Sequence, residues 1–427
     1  MRMPSAMVAM VLKQTGSPYA AYVTLILRFL WHGAALELEE RVQRFMAEPK
    51  PGTGRYYRPE LDVVRLIAFM LVFISHELPS SPDSRIDSIF KGFTPILYAI
   101  STTGRFGLSL FFTLSAFLIC ELLLRERATA GAVSIKQFYI RRILRIWPLY
   151  YLGVAIGVAV ALLPGGYRGD IVYMGWYSIF MSSWYLITHG GMSNPMLPLW
   201  SISVEEQFYL LAPWIVKYFN RKSLYGFCAV TILVANVWIY YLGNVKVTRD
   251  AIWYNPFVQF ECFAAGILLC LVLRGRLPKL AVWHRLMLVA GSYSCWFYAS
   301  YTLHTSFDGL ENPGSWPLIS GYALASLGSV LILIAFLGVS PKVLPGWAIY
   351  LGRISFGLYV YHAFGAYLTS KLLIGHLVSF NSPIYLLKGV LALGLTVLLA
   401  AVSYRYFETP FLKMKKRHAV IESQPVG

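Results

Sequence analysis

Charged residues are scarce in this sequence: they make up 13% of its 427 residues, against about 25% in an ordinary soluble domain. With 57% hydrophobic residues and a mean hydropathy of +0.58, that shortage excludes a water-soluble globular protein. Acidic residues are scarcer still, 20 against 37 Lys and Arg, for a formal charge of +17. Cysteine is rare as well. Cys120, Cys228, Cys262, Cys270 and Cys295 lie in or beside apolar runs with no metal-ligand spacing. They read as small apolar packing residues, and no metal is expected. There is no internal repeat, no low-complexity tract, and no ten-residue alternation of the kind that marks an outer-membrane barrel. No cleavable signal peptide is expected in the N-terminal region. Its apolar stretch from Tyr19 to Leu30 is short and interrupted by Arg28, so it is expected to lie on a membrane rather than cross it.

What is there is length of apolar run. Stretches of about 20 apolar residues recur along the whole chain, as in a polytopic helical membrane protein. The fold class is therefore all-α, a membrane helix bundle. Ten spans are expected near 61–79, 104–124, 146–163, 204–219, 225–243, 256–274, 284–304, 318–338, 350–372 and 386–407. The segment 171–188 is long enough to be an eleventh, but loop charge argues against it. With ten spans, Arg125, Arg127, Lys136, Arg141, Arg142 and Arg145 fall on the same side as Lys413, Lys415, Lys416 and Arg417. The opposite loops hold few basic residues, chiefly Arg85, Lys91, Arg168, Lys246 and Arg249. The positive-inside rule then places both termini in the cytoplasm and makes 171–188 a re-entrant or interfacial element, whose Trp176, Tyr177, Trp184 and Tyr185 suit a membrane interface. The same asymmetry accounts for the basic charge without nucleic acid; the expected surroundings are a lipid bilayer. The chain divides into a cytoplasmic segment 1–60, a membrane domain 61–411 and a basic cytoplasmic tail 412–427.

The stretch "RPELDVVRLIAFMLVFISHE" (58–77) makes a spanning helix that carries Arg65 near one end and His76 near the other. Eleven helical steps leave the two roughly 20° apart in azimuth and about 16 Å apart along the axis. Asp62, three residues before Arg65, lies close to the same face and can pair with it. Charges at membrane depth usually face the bundle interior or a wet cavity, and the polar stripe favours such a cavity over snorkelling to the interfaces. In "GRFGLSLFFTLSAFLICELLLRE" (104–126) the glycines flanking Arg105 permit close helix contact. In "YIRRILRIWPLYYLG" (139–153), Arg142 and Arg145 share a helical face; such a fork serves either to clamp phosphates or to anchor the helix on the basic side. In "PLWSISVEEQFYLLAPW" (198–214), Glu205 and Glu206 are expected near a helix start capped by Ser201 or Ser203. Adjacent carboxylates point about 100° apart and cannot serve one partner. One is open to orient His76 or bind a polar substrate, the other to pair with an arginine.

The order of these stretches resembles the acyltransferase-3 family of integral membrane acyltransferases, from about Arg58 to Phe411. The elements that carry the resemblance are Arg65-x10-His76, "GRFGLSLFFTLSAFLI", "RRILRIWPLYY" and "WSISVEEQFYLLAPW", with weaker matches in "LGRISFGLYVYH", ending at His362, and "SYRYFETPF". Ala116 stands where the family usually has glycine, Tyr361 where tryptophan is common, and Ala363-Phe364 where a proline is frequent. The chain reads as a stand-alone member without an SGNH hydrolase-like domain.

The resemblance implies an O-acyltransferase of the bacterial inner (cytoplasmic) membrane. It would move an acyl group, most often acetyl, from cytoplasmic acyl-CoA, acetyl-CoA above all, to a hydroxyl of a cell-surface or lipid-linked glycan. On that reading Arg142 and Arg145, with Arg141 and Arg65, bind the donor phosphates. His76 is the general base, and Glu205 or Glu206 holds its tautomer. Asp62, Arg105, Trp200, Ser201, Tyr209 and His362 are expected to contact substrate. Direct attack needs fewer steps than an acyl-histidine relay, the variant suited to donor and acceptor on opposite faces. Two other readings compete: an acyltransferase for a macrolide-like small molecule, and a proton-coupled transporter using the same buried charges.

Overall fold

The computed structural model describes residues 46–47, 56–78, 94–163, 166, 171–245, 247–305, 313–373, 384–418 and 421. The expected interfacial stretch at Tyr19–Leu30 lies outside them. A small unit includes the strands β1 (Met46–Ala47) and β2 (Leu277–Pro278), paired antiparallel with Met46 opposite Pro278 and Ala47 opposite Leu277. The larger unit is a helix bundle.

Helices occupy all ten expected spans. The first is α1 (Pro59–Glu77). It starts with proline in its first turn, where no amide donor is needed, and Glu60 and Asp62 there complement the helix dipole. The second span differs from expectation. It is a short helix α2 (Thr94–Gly104), a break at Arg105–Phe106, and α3 (Gly107–Ala130), closed by Gly131 at φ 76°. Eleven residues ending in Ser-Thr-Thr-Gly make too weak an apolar run to register alone, which is why α2 was not foreseen. The third span, α4 (Ile135–Leu162), is longer than its apolar stretch because its first turns form a basic, amphipathic extension. Ser134 caps it by accepting from the Gln137 amide, and Glu126 accepts from the Ser134 amide.

Segment 171–188 folds as two eight-residue helices, α5 (Ile171–Ser178) and α6 (Ser182–His189). Each rises only about 12 Å, far short of an apolar slab about 30 Å thick. They dock on neighbouring helices through polar bonds: Tyr150 Oη donates to the Tyr177 carbonyl, Ser182 bonds Ser203, and Gln207 Nε2 donates to the Phe180 carbonyl. Next come α7 (Trp200–Tyr218), α8 (Arg221–Asn244), α9 (Arg249–Trp253) and α10 (Pro256–Leu273). They are followed by α11 (Val282–Phe297), α12 (Ser315–Phe336), α13 (Gly346–Arg353) and α14 (Ser355–Leu368). Finally α15 (Ile384–Ser403) passes through a π-helical turn, Tyr404–Glu408, into α16 (Thr409–Lys416).

Among the described residues, six helical stretches are long and apolar enough to cross a membrane. α1 and α7 fall outside that class because of their own charges, Glu60, Asp62 and Arg65 in one and Glu205, Glu206 and Lys217 in the other. Those charges are where the site lies. α1 packs against α2, α3, α12, α13 and α14. The expected close contact at Arg105 is present: a Cβ added to Gly104 would stand 2.5 Å from the Leu71 carbonyl oxygen, and one added to Gly107 2.5 Å from that of Ala68. The tightest crossing is elsewhere, where a Cβ on Gly352 of α13 would sit 1.8 Å from the Asp62 carbonyl oxygen.

That contact is a test of the packing. Gly352→Val is expected to drive α13 off α1 and lower the melting temperature in detergent, since overpacking costs about 1–3 kcal/mol. Gly346→Val, where nothing lies within 4 Å of an added Cβ, should melt close to the parent; equal melting of both variants would contradict the packing account.

Candidate active site

α1 supplies one residue to each end of the site. At its first turns Asp62 is fully buried, accepts from Tyr57 Oη at 3.0 Å, and pairs with Arg65 one turn along. A buried carboxylate with two donors on it holds the guanidinium in place against the bundle interior. Arg65 lines a cavity of about 110 Å³ together with Arg142 and Arg145 of α4. These cations converge from helices far apart in sequence.

Arg142 lies over two rings, 5.5 Å from the Phe138 centroid and 5.4 Å from that of Tyr209, and its Nε is buried with no hydrogen-bond partner. Arg141, one residue earlier, points elsewhere. It donates to Glu126 at 2.7 Å and to the His418 carbonyl at 3.0 Å, which ties α4 to α3 and to the chain beyond α16. The expected fork is thus Arg142 with Arg145, and Arg141 borders only a smaller neighbouring cavity.

Glu205 and Glu206 sit in the second turn of α7, not at its start. The 3-10 turn Leu197–Leu199 runs directly into the helix with no side-chain cap, so the expected capping role of Ser201 or Ser203 is not found. The Trp200 amide is already satisfied by the carbonyls of Leu197 and Pro198, which removes the need for a cap. Glu205 faces the main cavity and accepts from Ser115 Oγ at 2.9 Å and Tyr209 Oη at 3.0 Å. Glu206 points away and accepts from Trp147 Nε1 at 3.1 Å, leaving its other oxygen buried without a hydrogen bond. The two carboxylates serve different partners, as their angular separation requires. Among the described residues neither forms an ion pair with an arginine, and neither is bonded to His76.

The ring that meets His76 is His362 of α14, with centroids 5.3 Å apart. His76 is exposed, whereas His362 is buried. His362 Nδ1 lies 2.6 Å from the Tyr359 carbonyl oxygen, and its Nε2 has no hydrogen-bond partner. Tyr359 also lines the main cavity, where its hydroxyl bonds Ser201 at 2.6 Å and the Pro198 carbonyl at 2.9 Å. One residue therefore joins the arginine-lined cavity to the histidine pair. Arg105, in the break between α2 and α3, acts electrostatically on His76 and on Asp250 and Tyr254. Trp200 packs edge-on against Tyr254 at 4.9 Å.

The structure thus brings Arg65, Arg142, Arg145, Glu205, Tyr209 and Ser201 around one cavity, and His76 with His362 and Arg105 at the other end of α1. Three contributors were not foreseen. Tyr359 sits one turn before His362 on the same helical face, a signal that was readable. Ser115 reaches Glu205 from ninety residues away, which no spacing announces. Lys415 borders two small basic cavities beside Arg142 and Arg145 but is hidden in sequence among the lysines of the tail.

Helices with charges turned inward onto a cavity mark a functional site in a membrane protein, and comparison with known proteins gives the family. The acyltransferase-3 family model, described as an acyltransferase domain, matches residues 58–405. The chain belongs to this family. Its relatives include the peptidoglycan O-acetyltransferase OatA of Listeria monocytogenes, 24% identical over 419 residues, covering 88% of this chain and 60% of OatA. Nodulation protein 10 of Rhizobium leguminosarum bv. viciae is 24% identical over 338 residues, covering 72% of this chain and 82% of that protein. The chain thus spans about three fifths of the length of OatA. No solved structure matches it.

The two glutamates should separate in activity. Glu205→Gln leaves Ser115 or Tyr209 without its acceptor, and losing a hydrogen bond to a charged group costs about 1.5–3 kcal/mol, so acyl transfer should fall by roughly ten- to a hundredfold. Glu206→Gln keeps an acceptor for Trp147 and should change the rate less than about threefold. Rates normalised to folded protein check this; the reverse ranking would remove Glu205 from the working cavity.

Proposed function

We propose that this protein is an O-acyltransferase of a bacterial cytoplasmic membrane, moving an acyl group, acetyl first among them, from cytoplasmic acyl-CoA to a hydroxyl of a cell-surface or lipid-linked glycan. The observation that carries the reading is the cavity that starts at Arg65, Arg142 and Arg145 and reaches Tyr359, whose carbonyl holds the histidine beside His76. A polyanionic thioester donor fits the basic end. The charge asymmetry of the loops makes that end cytoplasmic, with both termini on the same side. The glycan acceptor is supported by the printed name of OatA, a peptidoglycan O-acetyltransferase.

In the reaction, the acceptor hydroxyl oxygen attacks the thioester carbonyl. The new C–O bond forms, the hydroxyl proton passes to His76, the C–S bond breaks, and the thiolate leaves with a proton as coenzyme A. An alcohol is far too weak an acid to attack unaided at neutral pH, so the step needs a positioned base. His76 is that base because it is the exposed ring of the pair. Glu205, bonded to Ser115 and Tyr209 rather than to the imidazole, acts along the thioester path. Glu206 stands behind it on Trp147. Arg105 and Trp200 lie at the His76 end, on the side of the acceptor. Direct attack remains preferred to an acyl-histidine relay because it needs one transfer fewer.

Purified protein in lipid, given radiolabelled acetyl-CoA and a glycan acceptor, should transfer label to the acceptor. Label moving only to a macrolide-like alcohol would overturn the glycan assignment, and label moving to no hydroxyl would overturn the enzyme. His76→Ala should abolish transfer while the protein stays folded in the membrane, and full activity in that variant would end its role as base. Arg142→Ala with Arg145→Ala should raise the donor KM by at least about tenfold, the equivalent of one charge-assisted hydrogen bond lost; an unchanged donor KM would take both out of the coenzyme site.

A further inference from the structure

Four lysines and arginines close the chain between Lys413 and Arg417, and the positive-inside rule accounts for them as a group. It does not account for where one of them goes. Helix α15 continues through the π-helical turn Tyr404–Glu408 into α16, which packs along α4. Lys413, Lys416 and Arg417 are exposed, whereas Lys415 is half-buried. It enters the wall of two adjoining cavities of about 70 and 30 Å³, each of which also contains Arg142 and Arg145. Arg65 completes the first and Arg141 the second.

Among the described residues the nearby carboxylates are already committed. Asp62 holds Arg65 and Tyr57; Glu126 holds Arg141 and the Ser134 amide; Glu408 accepts from Ser403. Among the described residues Lys415 makes no ion pair and no hydrogen bond. Like charges gathered in a partly desolvated space repel one another. A lysine turned outward, like its neighbours, would escape that repulsion. An anion among the cations relieves that repulsion, and two small cavities around one ammonium suit phosphate oxygens better than an acyl chain.

We propose that Lys415 is a donor-binding residue, its ammonium forming a third contact with the phosphates of acyl-CoA beside the Arg142–Arg145 pair, so that α16 is a wall of the nucleotide end of the site. This inference rests on the acyl-CoA reading above. It adds the C-terminal helix to a site that the sequence motifs confine to α1 and α4.

The test measures equilibrium binding of coenzyme A and of phosphate-free pantetheine to the full-length protein in lipid nanodiscs. Lys415→Met keeps the side-chain length and removes the charge. It should weaken coenzyme A binding about tenfold, the scale of one charge-assisted hydrogen bond, and leave pantetheine binding unchanged. Lys415→Arg should restore most of the affinity, and Lys416→Met, on the exposed side of α16, should bind as the parent does. Parent-like affinity in Lys415→Met, with affinity lost in Arg142→Ala/Arg145→Ala, would overturn the Lys415 assignment and leave the donor site standing. Equal weakening for coenzyme A and pantetheine would overturn it too, because the effect would then be structural. Failure of the parent protein to bind coenzyme A would overturn the donor reading itself. If Lys415→Met does not fold, Lys415→Gln and Lys415→Arg carry the same comparison.

Discussion

A charge carried into an apolar slab must be paired, hydrogen-bonded or wetted, and the organisation of this protein follows from how α1 meets that requirement. Transfer of an isolated ion into such surroundings costs several kcal/mol even after relaxation. Asp62 and Arg65 neutralise each other within one helical turn, with Tyr57 completing the carboxylate. The backbone carbonyl of the same Asp62 is the point of closest approach to α13 through Gly352. The residue that stabilises the buried arginine is therefore also the residue against which the next layer of helices is seated. Loosening one loosens the other, and the cavity depends on both.

Because α1 is rigid and continuous from Pro59 to Glu77, it also sets a distance. Arg65 and His76 stand about 16 Å apart along its axis, and each meets α14: Arg65 shares a cavity with Ser355, Phe356 and Tyr359, and His76 meets His362. In the proposed reaction this separation keeps the highly charged part of the donor away from the transfer step. The thioester end alone has to reach the imidazole.

Much of the fold was legible because apolar run length is a strong signal: helices stand at all ten expected positions. Where reading failed, the competing physics is identifiable. α2 is too short and too rich in Ser and Thr to register, and the start of α4 is amphipathic rather than apolar. The expected cap at Ser201 or Ser203 gave way because a 3-10 turn already satisfied the first amide of α7. In the site, relations within one helix were readable: Asp62 with Arg65, Arg65 with His76, the divergence of Glu205 from Glu206. Relations between helices were not. Nothing local says that Ser115 bonds Glu205, that His362 meets His76, or that one lysine of the tail turns inward while its neighbours do not.

The histidine pair shows why geometry, not residue type, assigns roles. A carbonyl oxygen can only accept, so the bond between Tyr359 and His362 Nδ1 requires the proton on Nδ1 and leaves Nε2 as a bare acceptor. That acceptor is buried and has no hydrogen-bond partner among the described residues. The two imidazoles are 5.3 Å apart, yet only His76 is open to a molecule arriving from outside. A buried ring held by its own helix is suited to fixing the position of its neighbour. In the proposed reaction the exposed ring, with no hydrogen bond on its nitrogens among the described residues, is the one to take a proton from a substrate. The sequence offers two histidines on equal chemical terms; burial and a single backbone bond separate them.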